Sequence, residues 1–244
     1  MSKTVIIIPS RMSAMRLKGK PLLEINNLPI ICHVVKKAEE SKIGDVIVAT
    51  EDREILHAVE KNNGKAILTG IHNTGTDRIY EAFQKLKIKN VDYIINLQGD
   101  EPLIDPYDII NLNELMIKHS SEIGTLCAEI KDNSYFNNKN IVKVLTKKKL
   151  EINSFVKAIN FFRENSMQNQ NIYHHIGIYS YKVSALEKFI NFQQTKNEIK
   201  YRLEQLRALE NNIEIFVSLA KTSPMGVDTK EDYLAIKKIM EYKL

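Results

Sequence analysis

The sequence has few of the residues that mark several classes of protein. Its 244 residues include two cysteines and no tryptophan, so neither a disulfide framework nor a cysteine-rich zinc module can be built. No stretch approaches the ~18 consecutive apolar residues that a membrane-spanning helix needs, and the first apolar run is too short for a signal peptide. We therefore expect a cytoplasmic protein in which Cys32 and Cys127 are buried thiols.

The sequence also lacks a large excess of charge of either sign. The 35 Lys and Arg residues stand against 30 Asp and Glu, which gives a formal net charge of +5. The densest basic run, Lys147–Lys149, is typical of a solvated turn. Because nucleic-acid grooves usually add interleaved aromatic residues or a recognisable module, nucleic acid is not expected as a partner, and neither is membrane insertion.

Short β-branched runs alternate with amphipathic stretches of helical period from residue 4 to about 118. The strand-like runs are nearly all apolar, as expected when helices cover both faces of a parallel sheet. They are predicted at Val5–Ile8, Val46–Ala49, Ala66–Leu68 and Tyr93–Leu97. The predicted fold class is α/β, with a Rossmann-like, mostly parallel sheet and helices on both faces.

Past residue 120 the sequence has more strand-like runs and fewer helices, which predicts a smaller mixed or antiparallel lobe. Strands are expected at 123–130, 141–145, 155–159, 176–181 and 213–217, with a helix near Tyr201–Leu209 and a final helix from about Lys230. Because no linker or repeat interrupts the sequence, we predict one domain over residues 1–244, with a doubly wound half over 1–118 and the smaller lobe over about 120–200.

The segment Pro9–Leu22 follows the first predicted strand and carries four cations around one glycine. Arg11 can brace phosphate oxygens with its planar guanidinium, Lys20 can supply a mobile charge, and Gly19 lets the backbone approach closely. Since ligands bind beyond the carboxyl ends of parallel strands, the segment indicates a triphosphate site. A generic basic loop between a strand and a helix is the alternative.

Two aspartates are candidates for a Mg²⁺ site. Asp100 follows the predicted strand that ends at Leu97, and Asp228 stands just ahead of the last helix, where Thr229 and Asp232 have the spacing of a capping box. Carboxylates suit Mg²⁺, which completes its octahedron with phosphates and waters. Each aspartate taken alone is explained equally well as a turn residue.

The segment Thr74–Arg78 precedes a helical apolar stripe. Gly75, Thr76 and Arg78 would then place backbone N–H groups, a hydroxyl and a guanidinium at a helix N-terminus, which is suited to an anion or a nucleotide. An ordinary helix cap is the alternative.

Adjacent histidines begin the predicted strand around residues 176–181. Because alternate strand residues share a face, His175 and Tyr179 can form one wall of a ligand site. Two adjacent histidines without a third ligand are weak grounds for zinc.

Taken together, these segments resemble the 3-deoxy-manno-octulosonate cytidylyltransferases, the CMP-Kdo synthetases of lipopolysaccharide assembly, over nearly the whole chain. The order and spacing of the matching pieces are specific. They are Pro9-Ser10-Arg11, Arg16-Leu17, Gly19-Lys20-Pro21-Leu22, Gly75-Thr76-Asp77-Arg78, Asn96-Leu97-Gln98-Gly99-Asp100-Glu101-Pro102, His175-Ile176-Gly177-Ile178-Tyr179, Leu203-Glu204-Gln205-Leu206-Arg207 and Gly226-Val227-Asp228-Thr229.

The resemblance implies the fold of nucleotide-diphospho-sugar transferases and a reaction in which the anomeric hydroxyl of Kdo attacks the α-phosphate of CTP. It implies that residues 1–118 mainly bind the nucleotide and that about 120–200 contribute sugar and homodimer contacts. The catalytic residues implied are Arg11, Lys20, Asp100 and Asp228, and the two aspartates would bind Mg²⁺. The nucleotide contacts implied are Pro9, Ser10, Arg11, Arg16, Lys20, Gly75, Thr76, Arg78 and Gln98.

For the sugar, the resemblance implies contacts from Gln98, Lys157, His175, Tyr179, Glu204 and Gln205. Three positions depart from the family: Lys18 replaces a proline, Ala14 a serine, and Lys157 an arginine that contacts the sugar acid. Since lysine keeps the charge but loses the bidentate fork, the identity of the acidic sugar stays open between Kdo, an amino-Kdo and a sialic acid.

Two other functions remain as alternatives to the enzyme. The three departures allow a CTP-binding relative without efficient chemistry. A nicotinamide-dependent oxidoreductase is disfavoured, because no Gly-x-Gly-x-x-Gly run follows Ile8.

Overall fold

The computed structural model describes residues 2–13, 17–130, 136, 138–164 and 171–242. The chain forms two compact units, one made of Lys3–Ile109 with Pro224–Leu244 and the other of Ile110–Ser223. The predicted α/β class is confirmed. The C-terminal segment belongs to the first unit, so this unit is not continuous in sequence.

The first unit contains four parallel strands in the order β5-β4-β1-β6. β1, β4 and β6 are almost entirely buried, which follows from their apolar composition and from packing on both faces, whereas β5 at the edge is half-buried or exposed. The predicted strands are confirmed with small shifts of their ends. They are β1 (Thr4–Ser10), β4 (Val46–Thr50), β5 (Lys65–Leu68) and β6 (Tyr93–Asn96), while β2 (Glu24–Ile25) and β3 (Leu28–Pro29) form a separate antiparallel pair.

Three helices pack on these parallel strands. They are α1 (Ile30–Glu40), α2 (Arg53–Lys61) and α3 (Gly75–Leu86), and a short 3₁₀ turn covers Lys20–Leu22. Each helix buries one apolar stripe, as its sequence period predicts. The loops that follow β1, β4 and β6 therefore leave the sheet at the same edge, where the parallel strands end.

An apolar cluster fastens the C-terminal segment to the N-terminal loops. Ile25 and Ile30 pack with Val227 and with Ile236 of α8 (Lys230–Glu241), and all four side chains are fully buried. Burial of such a side chain contributes about 1.5–3 kcal/mol. The cluster therefore fixes Asp228, which follows Val227 directly, beside the loop that carries Lys20.

The second unit contains the mixed lobe that the sequence predicts. β10 pairs antiparallel with β7 and β8, β9 pairs antiparallel with β8 and β11, and β11 runs parallel to β7. The strands are β7 (Ile123–Ala128), β8 (Lys143–Thr146), β9 (Val156–Phe162), β10 (Ile172–Lys182) and β11 (Ile215–Leu219).

The prediction of one helix near Tyr201–Leu209 is wrong. The chain instead forms α6 (Lys196–Tyr201) and α7 (Leu206–Glu210), because Arg202 adopts a left-handed conformation with φ of 53° between them. The remaining helices are α4 (Pro106–His119) and α5 (Val183–Asn191). The boundary between the two units falls within α4, between Ile109 and Ile110. Within the described ranges, none of the helices has the length and apolarity to cross a membrane.

Candidate active site

Lys20 and the two candidate metal-binding aspartates converge in the first unit. The Lys20 ammonium lies 2.5 Å from Asp100 Oδ2 and 3.5 Å from Asp228 Oδ1. The lysine side chain is 12% exposed, against 29% and 47% for the two aspartates. Residues separated by 80 and 208 positions in sequence thus share one charged site.

Local backbone geometry places each of these three groups. Lys20 follows Gly19, which has a φ of +69° that side chains adopt only with strain. The Asp100 carbonyl accepts a hydrogen bond from the backbone of Val227 at 2.9 Å, which joins the two acidic loops. Thr229 and Asp232 form the predicted capping box at the start of α8, so Asp228 is held just before a helix.

Gly99 is required because the turn before Asp100 passes close to the end of β1. A Cβ on Gly99 would lie 3.1 Å from the Pro9 carbonyl and 3.1 Å from the side chain of Ile31. Both neighbours belong to the packed core of the first unit, so a side chain here would displace the turn. The glycine thereby allows Asp100 to approach the loop after β1.

Glu101 adds a third carboxyl to this site, and its role was not predicted from the sequence. Its Oε2 is buried and, among the described residues, makes no hydrogen bond. Burial first, and then the charges of Asp100 and Asp228, raise the pKa of Glu101 to about 8, although Lys20 opposes the shift. The Glu101 carboxyl is therefore largely neutral at pH 7.

The donor set fits a divalent cation that also binds phosphates. Asp100 and Asp228 already take the Lys20 ammonium between them, so the pair is arranged to accept positive charge. Mg²⁺ usually takes one or two protein carboxylates and completes its shell with phosphates and waters. No group of three or more potential ligands is close enough to hold a metal within the described ranges. Mg²⁺ binding stays a prediction.

The other predicted nucleotide contacts line the loops after β1, β6 and before α3. Arg11 is exposed, and Ser10 is buried at the end of β1. Pro9 lies beside Gly75, because a Cβ added to Gly75 would lie 3.3 Å from Pro9 Cγ. Thr76 is buried in the first turn of α3. Gln98 is half-buried beside the acidic loop. Arg16 and Ala14 lie outside the described residues.

Arg78, a predicted nucleotide contact in the first turn of α3, has a buried side chain. Its side chain is 2% exposed and forms an ion pair with Glu51, and its Nη1 donates to the Thr69 hydroxyl at 2.8 Å and to the Gly70 carbonyl at 3.4 Å. The guanidinium therefore joins the end of β4 to the loop before α3. Its predicted phosphate contact remains untested.

The predicted sugar-binding residues of the second unit include a compact aromatic group. The rings of His175 and Tyr179 lie 5.3 Å apart, and the Phe161 ring packs edge-on against His175 at 5.1 Å. The Tyr179 hydroxyl is buried without a hydrogen-bond partner among the described residues. Burial, with smaller contributions from Tyr181 and Glu204, raises the pKa of Tyr179 well above its ordinary value.

Glu204 and Gln205 lie where the chain turns into α7, and both are half-buried. A buried ion pair fixes this turn, because the Arg207 guanidinium donates to both carboxylate oxygens of Glu198, at 2.9 and 2.5 Å. Arg207 also packs over the Phe189 ring at 4.6 Å. The segment Leu203–Arg207 thus contains the two polar candidates and also an arginine that stabilises the turn.

Lys157, which stands where the family has an arginine, lies on β9 and is 44% exposed. Its ammonium pairs with Glu214 at 2.5 Å. A sugar carboxylate would have to compete with Glu214 for the Lys157 ammonium. The contact of Lys157 with the sugar acid stays a prediction.

The similarity of this chain to known proteins extends over most of its length. Residues 5–215 match the cytidylyltransferase family. The chain is 43% identical to a 3-deoxy-manno-octulosonate cytidylyltransferase of Thermodesulfovibrio yellowstonii over 97% of this chain and 98% of the relative. It is 39% identical to the protein of the same description from Bartonella tribocorum, again over 97% and 98%.

The chain belongs to the 3-deoxy-manno-octulosonate cytidylyltransferase family. A solved structure of CMP:2-keto-3-deoxy-manno-octonic acid synthetase complexed with CTP is 33% identical, with a TM-score of 0.90 over 100% of both chains. A structure of UDP-glucose pyrophosphorylase complexed with UDP-glucose is 12% identical, with a TM-score of 0.72. At this identity the similarity shows a shared fold only. The resemblance stated from the sequence motifs is thereby confirmed.

Sequence reasoning missed several residues that shape this family member's site. Asp52 accepts a hydrogen bond from the Met12 backbone at 2.7 Å and so holds the loop after β1. Glu51 and Thr69 hold Arg78, and Thr125 contacts His175. Their only sequence signal is a polar residue within an apolar strand or just after one, which is too common to single them out.

The buried state of His175 predicts how stability depends on pH. Burial first, and then the neighbouring His174, lower the pKa of His175 to about 3. Because the unfolded chain takes up this proton near pH 6.5 and the folded chain does not, stability should fall as pH drops from 6.5 towards 3, by up to ~1.4 kcal/mol per pH unit.

We expect urea unfolding to show that the free energy of unfolding of the unaltered protein falls between pH 6.5 and pH 5. The fall should exceed that of His175→Gln by roughly 1–2 kcal/mol. His57→Gln, at an exposed position of α2, is the control for loss of a histidine. Parallel pH dependences of the unaltered protein and His175→Gln would contradict the buried neutral state.

Proposed function

We propose that this chain transfers CMP from CTP to the anomeric hydroxyl of Kdo, giving CMP-Kdo and pyrophosphate for lipopolysaccharide biosynthesis. Membership of the family supports the reaction. The convergence of Lys20, Asp100 and Asp228 on one site carries the proposal from the family to this chain's own residues. Three of the four residues that the motifs predict as catalytic therefore lie together.

In the proposed reaction the sugar oxygen attacks the α-phosphorus of CTP. The bond from that phosphorus to its bridging oxygen breaks, pyrophosphate leaves with the electron pair, and the hydroxyl proton passes to solvent. Because negative charge develops on the leaving group, Arg11 and Lys20 are assigned to the triphosphate. Arg11 is exposed beyond the end of β1, which leaves its guanidinium accessible to phosphates.

Asp100 and Asp228 are proposed to hold Mg²⁺. When bound, the ion supplies positive charge against the phosphates and lowers the pKa of a hydroxyl near it. The pairing of both carboxylates with Lys20 shows that this chain can stabilise the two negative charges before any substrate arrives. Glu101 adds little charge of its own, since its carboxyl is largely neutral at pH 7.

Apart from Gln98, the proposed sugar contacts belong to the second unit. His175, Tyr179, Glu204 and Gln205 offer hydrogen-bonding groups for its hydroxyls, and Lys157 offers a positive charge for its carboxylate. Because Lys157 already pairs with Glu214 and lacks the bidentate fork of arginine, an amino-Kdo or a sialic acid is kept as a second acceptor.

Release of pyrophosphate from CTP is the direct test of the reaction. We expect release only when Mg²⁺, CTP and Kdo are all present, with CMP-Kdo as the coupled product identified by mass spectrometry. Parallel reactions with an amino-Kdo and a sialic acid test the acceptor. Binding of CTP without any product from the three sugars would contradict the enzyme and favour a CTP-binding relative.

Removal of one carboxylate tests the metal assignment. Asp100→Asn should lower kcat by about 100-fold or more, because it removes a negatively charged ligand of the ion that would offset the charge on the phosphates, and addition of Mg²⁺ should not restore it. Asp45→Asn is the matched control, since Asp45 also pairs with a lysine, Lys65 at 2.7 Å, on the exposed surface of the same unit. Equal Mg²⁺ dependence of Asp100→Asn and the unaltered protein would overturn the assignment.

We further propose that the protein works in the cytoplasm as a homodimer. Cys32 and Cys127 are free and buried, as expected in a reducing compartment. Ile159 on β9 is 54% exposed and Ile152 is 86% exposed, which supplies apolar surface for a second copy. Light scattering should give twice the mass of the chain, and a monomer at micromolar concentration would contradict the dimer.

A further inference from the structure

A buried threonine on β7 contacts both the His175 side chain and backbone carbonyls of β10, the strand that carries His175. Thr125 on β7 is fully buried, and its Oγ1 lies 2.7 Å from the Ile178 carbonyl oxygen and 3.2 Å from that of Ile176. The same oxygen lies 3.0 Å from Nε2 of His175. The pairing of β7 with β10 shifts register between Ile176 and Tyr179, so Thr125 faces a bulge in β10.

The number of hydrogens decides the direction of these bonds. A threonine hydroxyl has one hydrogen to donate and two lone pairs with which to accept. An oxygen-to-oxygen distance of 2.7 Å in a buried site requires that hydrogen, so it goes to the Ile178 carbonyl. Thr125 Oγ1 is then left to accept, and the 3.0 Å contact with His175 requires a hydrogen on Nε2.

The charge state of His175 completes the assignment. Burial lowers the pKa of His175 to about 3, so the ring is neutral at physiological pH. A neutral imidazole carries one hydrogen only. With that hydrogen on Nε2, Nδ1 becomes the acceptor of the ring.

We propose that Thr125 is a positioning residue that holds His175 as the Nε2–H tautomer, so that Nδ1 accepts a hydrogen bond from a hydroxyl of the bound sugar. This inference rests on the proposed function for its ligand. The Nε2–H tautomer separates binding of the sugar hydroxyls from binding of the sugar carboxylate, because an acceptor nitrogen repels a carboxylate and attracts a hydroxyl. The sugar carboxylate is thereby left to other groups, of which Lys157 carries the positive charge.

The structure also explains why a threonine suits this position. Its hydroxyl contacts the Ile178 carbonyl and the His175 ring at once, and valine would remove both of these buried hydrogen bonds. Serine retains the hydroxyl and loses one methyl group. The pair of substitutions therefore separates loss of the hydrogen bond from loss of packing volume.

Nitrogen-15 NMR reads the tautomer directly. In the unaltered protein we expect the His175 signal, assigned by its absence in His175→Gln, to show a protonated Nε2 and an unprotonated Nδ1. Thr125→Val should shift this pattern towards a tautomer mixture, and Thr125→Ser should restore it. A protonated Nδ1 in the unaltered protein overturns the inference without any variant, which covers the case in which Thr125→Val does not fold.

Steady-state kinetics tests the consequence for the sugar. Thr125→Val should raise KM for Kdo about tenfold, the effect of one hydrogen bond, with KM for CTP unchanged. Thr146→Val is the matched control, because Thr146 is also buried in the second unit and its hydroxyl donates to the Lys148 carbonyl at 2.7 Å. Equal increases in KM for Kdo in the two valine variants would show a general structural effect and overturn the positioning role.

The two proposals fail in different ways. If the proposed function is wrong, the unaltered protein releases no pyrophosphate with Kdo, although the tautomer can still be as inferred. If the inference is wrong, an active protein shows a protonated Nδ1 on His175 or an unchanged KM for Kdo in Thr125→Val.

Discussion

The charged site of the first unit depends on holding carboxylates close together against their mutual repulsion. Two like charges 4 Å apart repel by about 1 kcal/mol in water and about 4 kcal/mol near a protein surface. Lys20 offsets this repulsion because its ammonium contacts both Asp100 and Asp228. Glu101 avoids the repulsion differently, since its raised pKa lets it keep a proton.

Packing supplies the remaining stability that this arrangement needs. The fully buried cluster around Val227 and Ile236 contributes several kcal/mol and lies directly beside Asp228. Its free energy exceeds the repulsion of one carboxylate pair, so a segment at the far end of the chain stays attached to the N-terminal loops. The first unit is therefore discontinuous in sequence, because this packing joins segments from both ends of the chain.

Much of this could be predicted from the sequence because it is local. The strands β1, β4 and β6 are nearly all apolar, and the capping box at Thr229 needs only four residues to be recognised. The helix predicted near Tyr201–Leu209 failed because Arg202 takes a left-handed conformation there. The pair of Glu198 and Arg207 stabilises that turn through contacts nine residues apart, which no helical period reveals.

Charged residues were harder to place than apolar ones, since their roles depend on distant partners. Arg78 is a predicted nucleotide contact, and no sequence pattern shows that Glu51 and Thr69 hold its side chain in the interior. Lys157 similarly pairs with Glu214, 57 residues away. A pattern in sequence can name the charge that a site contains, but only the fold shows which charges are already neutralised.

In the proposed reaction the two units supply different kinds of ligand-binding group, and this division bears on selectivity. The first unit presents charged groups that are partly exposed, which suits a triphosphate whose charge is the same in every nucleoside triphosphate. The second unit presents neutral, buried groups, His175 and Tyr179, whose hydrogen bonds depend on direction. Because a site built around directed hydrogen bonds rejects a ligand that leaves its buried polar groups unpaired, discrimination among acidic sugars should depend more on the Thr125–His175 pair than on Lys157.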